Sequence, residues 1–390
     1  MKKIKVLYCN PIFLDYRLPY YEKLNELFEG GFYILFSRWR YEGRADALLK
    51  RIISEMGDNA IPFDGDKVWN TKTKTYIKKP NEQGKLIPIV HGLFRRLYKE
   101  KPDILITEGF FQWTPIIILY GMIFRKPVFM GYERTCHTER NTKWYHKLHR
   151  KITDMFIKGY IVNGKETHKY LLSLKVNPNK IHLGGMNADG KGLRDSISKM
   201  PKEEWETYKR RFNNGRGLIY LFTGYLTERK GIKPLLSAWQ FHINKYPFDS
   251  LVVVGDGNQY SECVSLYSSD HSIYFEGRVE YTEIYKYYAI ADVYIMPTIE
   301  DNWSLVIPEA MSCGLPVATS IYNGCHVELI KEGVNGFTFD TYKQDTIIDV
   351  LDKFHNVDLK EFGKASIVLE EPFNAENSAL RTYNALIEIC

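Results

Sequence analysis

The chain has 390 residues, of which 44% are hydrophobic and 26% are charged, and its formal net charge is +6. Because single hydrophobic cores stop growing at roughly 250–300 residues, this length predicts two domains. The apolar fraction is normal for globular proteins, so disorder is excluded over most of the chain.

No segment has the length and composition of a membrane-spanning helix. The most apolar run, 110–124, includes Gln112, Thr114 and Pro115 and falls short of the roughly 20 residues needed. The basic N-terminus is soon followed by Pro11, which would interrupt the apolar core of a signal peptide. The six cysteines include no CxxC pair, which favours a reducing, cytoplasmic location without disulfides or structural zinc.

Charge is divided unequally along the chain. Residues 1–200 hold 36 lysines and arginines against 20 acidic residues, whereas the remainder holds 17 against 27. The densest basic stretch, 67–101, has ten basic residues and little hydrophobic periodicity before Leu86, which predicts a mobile surface segment. Either this stretch is a solvated face, or it attracts anionic lipid headgroups or a phosphorylated acceptor. Nucleic acid is the weaker alternative, because no RNP-type, zinc-finger or heptad-linked basic pattern accompanies the charge.

The first half of the chain alternates apolar runs with helical stretches. The runs predict strands at 4–8, 32–36, 104–107, 128–131 and 157–162, and helices at 20–28 and 164–174. Strands that alternate with helices indicate right-handed βαβ units and a parallel sheet. The polar stretch 190–217 lacks strand signals, so we interpret it as the connection between two domains.

The second half repeats this alternation more clearly. Strands are predicted at 218–222, 251–254, 272–275, 293–296 and 316–319, and helices after Gly231 and at 281–291, 308–313 and 374–389. The helix after Gly231 has five apolar residues at helical spacing, which predicts a buried stripe of Ile232, Leu235, Leu236, Trp239 and Ile243. The predicted class is α/β, with two doubly wound parallel-sheet domains. Such domains bind ligands at the carboxyl ends of their strands, so the loops there hold the candidate residues.

The most informative segment is 297–317, PTIEDNWSLVIPEAMSCGLPV, which predicts a strand, a polar loop, a short helix and another strand. The loop supplies Glu300, Asp301 and Asn302, and Glu309 lies in the first turn of the helix. The amides at a helix amino end bind anions, and carboxylates accept hydrogen bonds from sugar hydroxyls, so the segment is typical of a nucleotide-sugar site. The alternative is that Asp301 caps the helix and Glu309 only complements the helix dipole.

This segment resembles glycosyltransferase family 4, a family of retaining enzymes with the GT-B fold. The family marker has two acidic residues, seven residues apart, followed by AMACGxPV; here Asp301 and Glu309 precede AMSCGLPV at 310–317. Residues 328–337, ELIKEGVNGF, resemble the ending of the same domain. The resemblance covers about 216–340 and is faint over residues 1–190.

The resemblance implies roles for the residues of this loop. Asp301, in an EDN form with Glu300 and Asn302, would contact the transferred sugar, and Glu309 would hold the nucleotide ribose. Three backbone amides would face the sugar and the diphosphate, those of Trp303, Ser304 and Leu305.

Residues 224–231, GYLTERKG, resemble the GRL…KG loop of the family. Lys230 falls on the diphosphate-binding lysine, where a positive charge stabilises the departing nucleoside diphosphate. The family's arginine is Tyr225 here, so either Arg229 or the Tyr225 hydroxyl would complete the phosphate clamp after Gly224. The alternative is a turn with two solvated basic residues.

Two further turns follow predicted strands. The GDG sequence after Val254 resembles the family's GxG, and Gly255 and Gly257 would let the backbone approach the nucleotide. The sequence FEGRV resembles the family's F-x-G-x-V turn, which would place Arg278 and Val279 beside the base. No DxD-type motif lies on a suitable loop. We therefore predict neither a metal nor another cofactor, with Lys230 and helix-end amides in place of a metal.

In the first half, the candidates follow the strand that begins at Val128. Many family members place a histidine at the end of this strand, where Glu133 stands here, and His137 follows one turn later. A charged cluster directly after a buried strand indicates function, although a surface cluster is the alternative. Glu108, after the neighbouring strand, is a second-rank candidate. The predicted catalytic residues are Lys230, Asp301, Glu133 and His137.

These observations predict an acceptor-binding domain at 1–190 (joined by a C-terminal helix at 372–390), a linker at 191–216 and a nucleotide-sugar-binding domain at 217–371. The predicted activity is retaining, metal-independent transfer of a hexose-type sugar to a glycan or lipid-linked acceptor in surface polysaccharide or lipopolysaccharide biosynthesis. The protein would be cytoplasmic and peripheral, on an anionic membrane surface, without nucleic acid as a partner.

Two functions of other classes remain as alternatives. A GT-B nucleotide-sugar epimerase would share the fold, although the EDN…PEAMSCGLPV string argues against it. A non-catalytic polyanion-binding protein would explain the basic first half but not the carboxylates of the second.

Overall fold

The computed structural model describes residues 3–12, 17–38, 53–70, 72, 74–77, 86–185, 187–213 and 216–388. Two parallel sheets covered by helices dominate these residues, which confirms the predicted α/β class with two doubly wound domains. Within these ranges no helix is both long and apolar enough to cross a bilayer.

The first sheet contains seven parallel strands. They are β1 (Val6–Cys9), β2 (Phe32–Ser37), β3 (Ala60–Phe63), β7 (Ile104–Glu108), β8 (Val128–Tyr132), β9 (Gly159–Val162) and β10 (Ile181–Leu183). Their order across the sheet is β10-β9-β8-β7-β1-β2-β3. All residues of β1 and β8 are buried, because strands covered by helices on both faces have no polar side. Glu108 and Glu133 therefore lie at the carboxyl edge of adjacent strands.

The second sheet contains six parallel strands. They are β11 (Ile219–Thr223), β12 (Ser250–Val254), β13 (Ile273–Gly277), β14 (Val293–Met296), β15 (Val317–Ser320) and β16 (Gly336–Phe339). Their order is β13-β12-β11-β14-β15-β16. The strand order reverses beside β11, between β12 and β14, and this is where a doubly wound sheet opens a crevice for a ligand.

The basic stretch 67–101 contains regular structure where a mobile segment was expected. Three antiparallel strands, β4 (Asp66–Asn70), β5 (Thr75–Ile77) and β6 (Leu86–Val90), form a small sheet in the order β5-β4-β6. The expectation was wrong for these strands because they have only three to five residues each, too few for a clear apolar period, and they are held by antiparallel pairing with one another. Residues 71, 73 and 78–85, which include Lys78 and Lys79, lie outside the described residues.

Fifteen helices of the described ranges complete the two domains. They are α1 (Leu18–Leu27), α2 (Leu93–Glu100), α3 (Thr114–Phe124), α4 (Trp144–Asp154), α5 (Lys165–Ser173), α6 (Gly190–Ser198), α7 (Lys202–Asn213), α8 (Ile232–Lys245), α9 (Tyr260–Tyr267), α10 (Tyr285–Ile290), α11 (Val306–Ser312), α12 (His326–Leu329), α13 (Gln344–Lys353), α14 (Leu359–Glu370) and α15 (Ala375–Glu388). The predicted stripe of α8 is buried, except that Ile243 is only partly covered.

The segment interpreted as a linker, 191–216, contains two helices that pack on the second sheet. Leu193 of α6 and Phe212 of α7 belong to the core of the second domain. The indole nitrogen of Trp205 donates to the carbonyl oxygen of Ala289, at 2.8 Å. This segment is therefore part of the second domain rather than a free connection.

The end of the chain returns to the first domain. Helix α15 packs against α1 and β10, and the Tyr20 hydroxyl donates to Thr382 Oγ1 at 2.9 Å. The rings of Phe28 and Tyr383 lie 4.8 Å apart.

Candidate functional site

Asp301 and Lys230 form an ion pair at the carboxyl end of the second sheet. The Lys230 ammonium lies 2.5 Å from Asp301 Oδ2, and both side chains are largely buried. The hydroxyl of Ser304 also donates to Asp301 Oδ2, at 2.8 Å. Burial alone would raise the pKa of Asp301, but the Lys230 charge and these hydrogen bonds outweigh it and hold the pKa below its ordinary value. Asp301 is therefore a carboxylate beside a cation, as a sugar-phosphate site requires.

Glu309, which is expected to hold a ribose, is 6% exposed. Its carboxylate accepts hydrogen bonds from the Tyr288 hydroxyl at 2.9 Å and from the Tyr281 hydroxyl at 3.1 Å. Burial raises the pKa of Glu309 to about 7 despite these two donors. Tyr281 is exposed, so a ribose that reached Glu309 from solvent would have to share or replace its hydrogen bond.

Two of the three amides expected to face a donor already have acceptors. The Trp303 amide donates to Asp301 Oδ1 at 3.2 Å, and the Ser304 amide donates to Asn323 Oδ1 at 3.3 Å. Leu305 is the residue before α11, and no described residue accepts from its amide. The start of α11 therefore presents one of the predicted amides and uses the other two to hold Asp301 and the loop.

The glycines at 224, 255 and 257 bring two loops together. A Cβ at Gly255 would lie 1.9 Å from the Gly224 carbonyl oxygen, and a Cβ at Gly257 would lie 2.5 Å from the Leu226 carbonyl oxygen. These glycines allow loop-to-loop approach, which is a different reason from the predicted approach of a nucleotide. These close approaches hold the loop at 224–226 against the loop at 255–257, shortly before Lys230 in the chain.

Tyr225 and Arg229, the two candidates for the phosphate clamp, both have exposed side chains. Tyr225 is 63% exposed, so its hydroxyl faces solvent rather than a packed site. The Arg229 side chain is also exposed, whereas its carbonyl oxygen accepts from the Ile299 amide at 2.8 Å and from the Thr298 hydroxyl at 2.9 Å. Arg229 thus ties the Lys230 turn to the loop that carries Asp301 and keeps its side chain available.

The predicted base-binding turn lies at the edge strand β13. Arg278 is exposed and lies 3.7 Å from Glu280, while Val279 packs on the domain core. Gly277 has a φ of 67°, which favours glycine at the turn. No described contact joins this turn to the Lys230–Asp301 pair.

Glu300, Asn302 and His137 contact across the cleft between the domains. Arg140 pairs with Glu300 at 2.6 Å, and the Thr138 hydroxyl donates to Asn302 Oδ1 at 2.7 Å. His137 Nε2 lies 3.0 Å from the Ile299 carbonyl oxygen. His137 therefore sits in a contact between the domains, and its predicted role toward an acceptor is not visible in this arrangement.

Glu133 faces the cleft without a hydrogen-bond donor among the described residues. Burial raises the pKa of Glu133, and the nearby charges of Glu108 and Asp301 raise it further. Glu133 and Glu108 line one pocket at the carboxyl end of the first sheet.

A buried network beside Glu133 escaped the sequence analysis as a unit. The Arg17 guanidinium lies 3.2 Å from Glu108 Oε1 and 2.9 Å from the Tyr8 hydroxyl, which itself hydrogen-bonds the other oxygen of Glu108. Arg17 directly precedes α1 and is 2% exposed. An arginine in an otherwise apolar helix start was the available signal, since a buried arginine needs an acidic partner.

One group of described residues has a donor set suited to a metal ion, namely His242, Asp249 and His355. Asp249 precedes β12, so the group lies at the amino end of the second sheet, opposite the cleft. His242 Nε2 and His355 Nε2 lie 2.9 and 2.7 Å from Asp249 Oδ2, which are hydrogen-bond distances. This group is separate from the candidate donor site, and the expected independence from metal stays a prediction.

Comparison with known proteins finds sequence similarity mainly in the second domain. Residues 203–364 match the family model of glycosyl transferases group 1. An uncharacterised glycosyltransferase of Methanocaldococcus jannaschii is 30% identical over 177 residues, or 43% of this chain and 44% of that protein. The chain spans less than half the length of this relative and of two other curated relatives.

Solved structures match almost the whole chain. The Anabaena protein HepE in complex with UDP has a TM-score of 0.76 at 12% identity, over 99% of this chain and 100% of that chain. The lipopolysaccharide outer core galactosyltransferase WaaB has a TM-score of 0.69 at 13% identity, over 99% and 100%. The fold is GT-B, as predicted. At these identities the likeness shows the fold alone.

Proposed function

We propose that the protein is a retaining glycosyltransferase of family 4 that binds a nucleotide sugar on the GT-B cleft face of its second domain. The observation that carries this proposal is the Lys230–Asp301 ion pair at the carboxyl end of the second sheet, next to the short helix that holds Glu309. The family match over 203–364 supports the activity class. The UDP in the HepE complex supports a nucleotide-sugar donor.

The chemistry requires charge stabilisation rather than a protein nucleophile. The bond between the anomeric carbon and the diphosphate oxygen breaks while the acceptor oxygen bonds to the same face of that carbon. The proton of the acceptor hydroxyl passes to the departing diphosphate. Lys230 would stabilise the charge that develops on this leaving group, and Asp301 would orient the hydroxyls of a hexose-type sugar. Lys230 thereby takes the role that a metal ion would have, so we propose no cofactor.

The acceptor would lie against the first domain. Glu133 lines a pocket of the first domain at the end of β8, and its carboxyl group would hold an acceptor hydroxyl there. The excess of basic residues in the first 200 suits an anionic acceptor or membrane surface. We propose a glycan or lipid-linked acceptor at the cytoplasmic membrane face, in surface polysaccharide or lipopolysaccharide biosynthesis, and the likeness to WaaB supports this setting.

A thermal-shift screen against UDP-, GDP- and ADP-hexoses tests the proposal. A donor at about 100 times its dissociation constant adds ~2.7 kcal/mol to the free energy of unfolding, which is readily measured. We expect one nucleotide class to stabilise the wild-type protein, with EDTA present, and to stabilise Lys230→Ala less. If no nucleotide sugar stabilises the protein, the proposal fails. If incubation with donor alone yields an epimer of the sugar, the protein is an epimerase.

A further inference from the structure

An apolar surface on the first domain is turned toward solvent rather than toward the core. Helix α4 has eleven described residues, of which Thr153 alone is buried. Trp144 is 74% exposed, and Met155, directly after the helix, is 71% exposed. A short helix is marginal in water unless one face packs on something, so α4 lacks the cover that its sequence requires.

The apolar side chains of α4 form one stripe on its outer side. Trp144, Leu148 and Ile152 recur every four residues, and Met155 continues the stripe. Thr153 follows Trp144 by nine residues, which at ~100° per residue places it on the opposite side of the helix. The helix is therefore amphipathic with its apolar stripe outward, the reverse of an ordinary surface helix.

Helix α3 extends this stripe into a wider surface. Leu119 and Met122 of α3 are about half exposed and line a groove against Ile152 and Phe156 of the α4 segment. The groove has a volume of about 550 Å³. Neighbouring exposed apolar side chains that line one groove are typical of an interaction site.

The charges beside the stripe identify the occupant. Lys143, Lys147 and Lys151 recur every four residues on the flank of the stripe, and all three are exposed. Between residues 143 and 158 the single acidic residue is Asp154, whose carboxylate is paired with Lys180 at 3.2 Å. A helix with Trp, Leu and Ile on one face and lysines beside them has the composition of helices that lie in the interface of an anionic bilayer.

We propose that the α3–α4 face, defined by Leu119, Met122, Trp144, Leu148, Ile152 and Met155, binds the surface of an anionic lipid bilayer. Phe110 and Phe111 line both the groove of this face and a neighbouring polar pocket that contains Glu133. Binding would hold the acceptor side of the cleft against lipid. The last step rests on the proposed function; the binding itself does not.

Co-sedimentation with vesicles tests the α3–α4 face. The vesicles contain phosphatidylglycerol and phosphatidylcholine, or phosphatidylcholine alone. We expect the wild-type protein to bind the anionic vesicles, and the triple variant Trp144→Ser, Leu148→Ser, Met155→Ser to bind at least tenfold more weakly. The matched control, Phe241→Ser, Leu266→Ser and Val368→Ser, removes equally exposed apolar side chains from the second domain and should bind as wild type.

Two further measurements define the chemistry and the location. Lys143→Glu, Lys147→Glu and Lys151→Glu together should lower binding to anionic vesicles at least tenfold and remove its salt dependence. Brominated lipid should quench the fluorescence of Trp144 in the bound protein. The variant Trp144→Phe should still bind the vesicles but show less quenching than wild type.

Absence of wild-type binding at low salt overturns the proposal, as does a triple serine variant that binds like wild type. A wild-type dimer that the serine variant dissociates, without vesicle binding, assigns the face to a second copy and also overturns it. Nucleotide-sugar stabilisation is measured on the same samples. Wild-type protein that is stabilised by a nucleotide sugar but binds no vesicles contradicts this proposal alone. Wild-type protein that binds anionic vesicles but is stabilised by no nucleotide sugar contradicts the proposed function alone.

Discussion

At the scale of single residues, Glu309 links the donor site to folding stability. The pKa of its buried carboxyl group is raised from 4.5 to about 7. Between these two values the folded state keeps a proton that the unfolded state has released, so the free energy of unfolding falls as the pH rises through this window. At about 1.4 kcal/mol per pKa unit, the ionisation of Glu309 lowers the free energy of unfolding by about 3 kcal/mol across this window.

We therefore expect Glu309→Gln to flatten the decrease in stability between pH 5 and 7, measured by urea unfolding. Glu370 is the matched control, because burial raises its pKa to about 7 as well and it lies on α14. Glu370→Gln should flatten the profile similarly while leaving donor affinity unchanged. An unaltered pH profile in Glu309→Gln would show that its carboxyl group is not held in the protonated form.

Lys230 has two roles that a double variant separates. Lys230→Ala should lower kcat roughly 10²–10³-fold, since it removes a charge that acts on the leaving diphosphate. It should also destabilise the protein, because breaking a buried ion pair costs about 3–5 kcal/mol and Asp301 would lose its partner.

Adding Asp301→Asn to Lys230→Ala should restore most of this stability, measured by thermal unfolding, but none of the activity. Lys331→Ala, at an exposed residue of the same domain outside the site, controls for loss of positive charge alone. Full activity in Lys230→Ala would refute the role of this side chain. An activity that EDTA abolishes would show that a metal is required.

At the scale of elements, the glycines of the donor loops have a steric role that substitution can test. Gly255→Ala would place a Cβ 1.9 Å from the Gly224 carbonyl oxygen, so the two loops would have to separate. Overpacking of this kind costs about 1–3 kcal/mol, in addition to about 1–2 kcal/mol for the backbone conformation.

Gly333→Ala is the control for this substitution. Gly333 also has a positive φ, but no atom lies within 4 Å of its added Cβ. We expect Gly255→Ala to lose clearly more stability in urea unfolding than Gly333→Ala, and to weaken donor binding as well. Equal losses would mean that the loop contact is not rigid.

The elements also show what sequence patterns can and cannot predict. The strands and the stripe of α8 were predictable because each is a local apolar pattern that burial requires. Helix α7 was missed among its many charges, although Trp205, Tyr208 and Phe212 have helical spacing. The strands β4–β6 were missed because they are only three to five residues long and because pairing between strands has no local signal in the sequence.

At the scale of the whole molecule, the two-domain GT-B architecture followed from the alternation of strands and helices. The contacts across the cleft could not be predicted from this alternation. His137 meets Ile299 and Arg140 meets Glu300, and these pairs are 162 and 160 residues apart in the chain. A motif identifies residues for one side of a cleft, whereas the partner across it depends on how the domains are placed.

The account assigns donor binding to the second domain and acceptor binding to the first. Its most direct test is a calorimetric titration of the stabilising nucleotide sugar into wild-type protein, Glu309→Ala and Glu133→Gln. We expect Glu309→Ala to weaken donor binding by about 1.5–3 kcal/mol, the contribution of hydrogen bonds to a charged group, and Glu133→Gln to bind donor as wild type does. Unchanged affinity in Glu309→Ala, with a loss in Glu133→Gln, would contradict the account.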